Sequence, residues 1–134
     1  MKLQEIFDAA SVHLMGMDGP SLDQDADACV YRGKDEDCEF NGQMCAVGLF
    51  IKDEHYDDDL EGQGITGSKS VADAVAASWG QDDLTEDQLM LLADLQDAHD
   101  HGTRGRVWSN YIIAALDGVA TKFHLRFDPK GASA

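Results

Sequence analysis

Trp108, Tyr111, Ile112, Ala115, Leu116, Val119 and Phe123 recur at spacings of 3, 4 and 7, the period that lines one side of an α-helix with apolar groups. A stripe of this length has to be buried, so it predicts a core helix over about 105–124 against which other amphipathic elements must pack. Lys122, His124 and Arg126 fall where the negative end of such a helix favours cations.

Three further helices follow from the same period. Leu3, Ile6, Phe7, Ala10 and Leu14 form a stripe over about 2–16 that stops at Gly16, Gly19 and Pro20. His13 lies beside that stripe as a helix-surface residue. Val71, Ala74, Val75 and either Ser78 or Trp79 share one face of a short helix that Gly80 ends. The clearest local signature belongs to the third. Thr85 and Gln88 have the spacing of a capping box, and Leu84 and Leu89 that of a hydrophobic staple. Leu89, Leu92, Ala93, Leu95 and His99 then share the apolar face. At about 100° per residue Asp83, Asp87 and Asp94 fall in a narrow sector of the opposite side, an acidic ridge.

Between the first two helices the text changes character. Asn41-Gly42 inside "CEFNGQM" is the strongest short hairpin signal, because both central positions of a type I′ turn need φ > 0. "CAVGLFI" fits either the last strand of that hairpin or a buried helical turn, since periodicity does not arbitrate so short a run. The expected class is therefore α+β and mainly helical, about four helices packed with a short β-hairpin. With 134 residues, 43% of them hydrophobic, no repeat and no linker, one domain over 1–134 is expected, with a flexible tail from about 127. No run of about 18 apolar residues occurs, and Glu5 and Asp8 interrupt the stretch where a secretory signal needs unbroken apolar sequence. A cytoplasmic protein is expected.

Charge bounds the partners. The chain has 26 acidic and 10 basic residues, a net −16, which argues against direct binding to nucleic acid or to an anionic membrane. The acids are uneven: residues 18–61 carry 14 acids against 3 bases, residues 82–100 carry 7 acids and no base, and residues 101–134 are net basic. The densest stretch is Asp53 to Gly62, "DEHYDDDLEG", with six carboxylates in ten residues.

Catalytic and metal motifs are weak. "DQDADACVYRGK" from Asp23 begins like a calcium loop, but Ala28 stands where glycine permits the sharp turn and Lys34 where a bidentate glutamate closes the shell. The histidines at 13, 55, 99, 101 and 124 include no i, i+4 pair. Cys29, Cys38 and Cys45 lack paired C-x-x-C spacing and lie in the most negative block, which disfavours the thiolate. No catalytic residue and no cofactor is implied.

Part of the chain carries a family resemblance. Tyr31-Arg32-Gly33, Cys45 to Gly48, Asp53 to Tyr56 and Leu60 to Gly62 together resemble a family of small proteins from bacteriophages and their bacterial hosts. The resemblance covers about a third of the chain, chiefly residues 28–64, and implies a phage or prophage origin without implying an activity.

The expected function is an acidic protein that binds and inhibits a host nucleic-acid-binding protein by occupying its basic surface, as a DNA mimic acting against a defence nuclease, a CRISPR effector or a transcription protein. Duplex DNA carries one charge per about 1.7 Å of axis, so 16 charges match about 8 base pairs. The expected partner-binding residues are Asp35, Glu36, Asp37 and Glu39 of the hairpin, Asp53, Glu54, Asp57, Asp58, Asp59 and Glu61 of the loop, and Asp83, Asp87 and Asp94 of the ridge. The alternative is a divalent-metal or catalytic loop with Asp53, Glu54, His55 and Asp57 as ligands or proton carriers, a set suited to Mn²⁺ or Zn²⁺.

Overall fold

The computed structural model describes residues 2–16, 47–56, 65, 69–101 and 106–128. Its helices are α1 (Leu3–Met15), α2 (Lys69–Ser78), α3 (Glu86–Asp100) and α4 (Arg106–Phe123), with two 3₁₀ turns at Gly48–Phe50 and Asp53–His55. The described residues contain no strand, so the expected α+β class with its β-hairpin is corrected to an all-helical one. Asn41-Gly42 lies outside the described residues. Where "CAVGLFI" is described it turns helically, and the reason is its burial pattern. Val47, Phe50 and Ile51 are buried at spacings of 3 and 4, while Leu49, which a strand would place beside Val47 and Ile51, is only half-buried.

The core is built by α1, α3 and α4, which pack on one another, while α2 packs against the Asp53–His55 turn. From α1 come Ile6, Phe7, Ala10 and Leu14, all fully buried as the stripe requires. From α4 come Trp108, Ile112, Leu116, Val119 and Ala120. Trp108 also closes the end of α1: its Nε1 donates to the Leu14 carbonyl at 2.9 Å, one of the last-turn carbonyls that a helix leaves without an internal donor. Helix α3 is turned slightly from its expected face. Leu91, Leu92, Leu95, Ala98 and His99 are buried, whereas Leu89 and Ala93 are half-buried.

Local chemistry sets the helix ends. Thr85 Oγ1 accepts from Gln88 N at 3.1 Å and Gln88 Oε1 accepts from Thr85 N at 2.9 Å, the reciprocal capping box. Gly80 ends α2 at φ 71°, with Gln81 N bonded to Ala76 O at 2.8 Å and Gly80 N to Ala77 O at 3.1 Å, a Schellman motif. Helix α4 ends in the same pattern, Leu125 N to Ala120 O at 2.8 Å and His124 N to Thr121 O at 3.3 Å, but its left-handed residue is His124 at φ 57°. Ser78 rather than Trp79 is buried at the end of α2. Its Oγ donates to Ala74 O and accepts from Lys52 N at 2.9 Å, fastening the second 3₁₀ turn to the helix.

Beyond α4 the chain runs back along α1. Gln4 Oε1 accepts from Arg126 N at 2.9 Å, Gln4 Nε2 donates to Arg126 O at 3.0 Å, and Phe127 meets Phe7 edge-on at 5.4 Å. Among the described residues no helix is long and apolar enough to cross a membrane.

Candidate functional site

Acidic side chains stay at the surface even where they have partners within the fold. Every acidic residue among the described ones is exposed except Asp94, which is half-buried. Glu5 accepts from Lys2 N at 2.9 Å at the start of α1, and Asp8 accepts from Gln4 Nε2 at 2.8 Å one turn on. A chain that keeps its carboxylates in water avoids their desolvation, and the remaining burden is mutual repulsion across the surface.

The expected site residues divide into three groups. Asp53 and Glu54 stand exposed on the second 3₁₀ turn, where half-buried His55 lies 3.7 Å from Glu54. Asp35, Glu36, Asp37, Glu39, Asp57, Asp58, Asp59 and Glu61 lie outside the described residues, as do Cys29, Cys38 and Cys45.

Asp83, Asp87 and Asp94 make up the third group, and the fold treats each differently. Asp83 precedes α3 and lies 3.8 Å from Lys69 Nζ, which also meets Asp73 at 3.0 Å. The hydrogen bond that Lys69 donates to Asp73, then the charges of Asp73 and Asp83, raise the Lys69 pKa above its ordinary value. Asp87 is exposed in the first turn of α3, where the helix dipole favours an anion. Asp94 meets Lys122 of α4 at 2.7 Å. Neither cation was legible as a partner: Lys122 lies far from Asp94 in sequence, and only helix packing brings the two together.

One histidine–carboxylate pair has the geometry of a catalytic dyad. His99 Nδ1 lies 2.8 Å from Asp100 Oδ1, and Gln96 Nε2 donates to the same oxygen at 2.6 Å while Gln96 Oε1 accepts from Val47 N at 3.3 Å. A carboxylate accepts only, which places the imidazole proton on Nδ1. His99 is fully buried, edge-on to Trp108 at 6.4 Å. An imidazole sealed in this way has no open face for a substrate, and the link from this cluster to the 47–51 turn is made by Gln96, which bonds both Asp100 and Val47 N. Among the described residues no three His, Cys, Asp or Glu side chains are grouped to hold a metal ion. Asp53, Glu54 and His55 of the alternative metal set are described, and Asp57 is not.

Between α3 and α4 runs an open groove of about 380 Å³. Ala98, Ala115, Gly118 and Val119 form its apolar floor, and Asp94, Asp97, His101 and Lys122 stand along it. Tyr111 lines one end, its hydroxyl donating to Ala98 O at 2.6 Å. Burial, then the carboxylates of Asp100 and Asp97, push the phenol's pKa up, so the proton in that bond is firmly held. The glycine on this floor carried no special signal in the sequence, where an isolated Gly in a helical pattern reads only as a weak point.

Compared with protein-family models, curated proteins and solved structures, the chain matches none.

Proposed function

We propose that this protein acts by binding, as an acidic surface that occupies the basic, nucleic-acid-binding face of another protein and thereby inhibits it. The observation that carries this reading is the charge and where its described part sits: the chain carries a net −16, and among the described residues every carboxylate is exposed except half-buried Asp94. Such a surface repels nucleic acid and attracts what nucleic acid attracts, and its field speeds encounter with a cationic partner. The fold supports the reading in a second way, because short helices with exposed acids hold carboxylates at fixed spacing, so that ordering them on binding costs little. The phage or prophage origin implied by the Tyr31–Gly33 and Asp53–Gly62 segments belongs to this proposal. In that setting the partner is a host nuclease, CRISPR effector or transcription protein.

The test is retention of host proteins on the immobilised protein at low salt, followed by elution with a salt gradient and by displacement with duplex DNA. A retained nucleic-acid-binding protein that DNA displaces and salt releases steeply supports the proposal. Empty eluates, or retention unchanged when Asp57, Asp58 and Asp59 are replaced by asparagine, refute it.

A further inference from the structure

Gly118 lies inside the 18-residue helix α4, where glycine destabilises relative to alanine because it orders the most flexible backbone and packs no side chain. A packing partner usually explains such a residue. Here a Cβ built on Gly118 meets nothing within 4 Å, so no neighbour within the described fold requires its absence. The open space above it is the α3–α4 groove, whose floor continues through Ala98, Ala115 and Val119.

The groove has the form of a helix acceptor. Helices α3 and α4 run antiparallel, since Tyr111 reaches Ala98 while Lys122 reaches Asp94. A third helix laid over two antiparallel neighbours packs its ridge into their groove, and small floor residues permit approach near the short end of the usual 8–10 Å interaxial range, about 8 Å. Charge selects the occupant. A second copy of this chain would bring another net −16 against the first, and repulsion of that size opposes self-association. A cationic helix meets the opposite situation. Asp97 is exposed at the groove with no ion pair to a described residue. Asp94 is half-buried and meets Lys122, whose side chain is 56% exposed; an ion pair with one exposed partner contributes little net stability, so a cation on the docked helix is able to share the carboxylate.

We propose that the α3–α4 groove is the docking site for a basic amphipathic helix of another protein, with its apolar stripe seated over Gly118 and its arginines or lysines facing Asp94 and Asp97. This rests on the reading of the protein as a binder of basic surfaces, and narrows that reading to one place and one kind of element. It also separates two contributions: charge brings the partner in, and the groove holds it by apolar contact that salt does not screen.

The probe is a labelled synthetic helix of about 18 residues built from Ala, Leu, Lys and Arg, with leucines at i, i+3, i+4 and i+7, read by fluorescence anisotropy at low salt. Its control is a peptide of identical composition with the leucines scattered around the helix. The striped peptide is expected to bind at least about tenfold more tightly than the scattered one. Gly118→Leu, whose Cβ meets nothing within 4 Å, places a bulky side chain in the groove and is expected to erase that tenfold difference, while circular dichroism verifies that the variant keeps its helicity. Gly118→Ala, the smallest obstruction, should fall between. Asp97→Asn is expected to weaken binding more than Asp82→Asn, which removes the same charge outside the groove. Equal affinity for the two peptides, unchanged by Gly118→Leu, overturns the groove and leaves the acidic-surface reading standing. Failure of both peptides to bind overturns both. A wild-type dimer in sedimentation that Gly118→Leu dissolves also overturns the proposal, by making a second copy the occupant.

Discussion

Replacing Trp108 with phenylalanine tests the way α4 locks the end of α1. The indole is 1% exposed and its Nε1 donates to the Leu14 carbonyl at 2.9 Å across 94 residues of sequence. Phenylalanine keeps an aromatic ring in the core but removes that donor and part of the indole's volume. Taking a donor from a buried carbonyl costs roughly 1–3 kcal/mol, and the space left by the smaller ring adds about 1 kcal/mol. The expected loss is therefore about 2–4 kcal/mol, a large share of a total stability of about 5–15 kcal/mol. With a urea slope of about 2 kcal/mol per molar, the unfolding midpoint falls by about 1–2 M.

Trp79→Phe is the matched control. Trp79 is half-buried, meets Phe50 edge-on at 5.4 Å, and has no described residue accepting a hydrogen bond from its indole. Phenylalanine retains most of that contact, so the loss stays under about 1 kcal/mol. Urea unfolding followed by circular dichroism at 222 nm compares the variants, because fluorescence would confound two proteins that each lack one of the two tryptophans. Equal losses for Trp108→Phe and Trp79→Phe would refute the reasoning, since they would show that the Leu14 carbonyl has no need of the indole.

Gly118→Ala is expected to raise stability by roughly 0.5–1 kcal/mol, because the new methyl meets nothing within 4 Å, and thermal unfolding measures it. His124→Gly is expected to stabilise by about 1 kcal/mol, since His124 holds φ 57° in a capping position that glycine adopts without strain; calorimetry on the pair decides. Tyr111 supplies a pH signature. Its folded pKa lies above the ordinary 10.0, so the fold binds the phenolic proton more tightly than the unfolded chain does. The associated stability is complete below pH 10 and is lost as pH rises through the folded value. Wild type should therefore lose more stability than Tyr111→Phe above about pH 10 in denaturant titrations. Self-repulsion at net −16 predicts that the melting temperature rises as salt increases from about 10 to 150 mM, where the screening length shrinks from about 30 to 8 Å; an unchanged value would mean that the acids are already neutralised in pairs.

The sequence by itself determined the helices and their ends. Apolar residues at 3 and 4 spacing, Thr85 with Gln88, and Gly80 all act within one or two turns, so their effect is written locally. Ile6, Phe7, Ala10 and Leu14 are buried as their spacing required, and so are Trp108, Ile112, Leu116 and Val119. Local signals were ambiguous at "CAVGLFI", where an apolar run too short to show a period became a helical turn because Val47, Phe50 and Ile51 meet the core together. The placement of the charges was legible only in part. Residue spacing alone put Asp83, Asp87 and Asp94 in one ridge. Tertiary structure set Asp83 before the helix beside Lys69, left Asp87 in water and gave Asp94 to Lys122. It also decided which carbonyl Trp108 would satisfy and that the space above Gly118 would stay open. These are contacts between residues far apart in the chain, and no local period encodes them, because the distance between two helices follows from the packing of all the side chains between them.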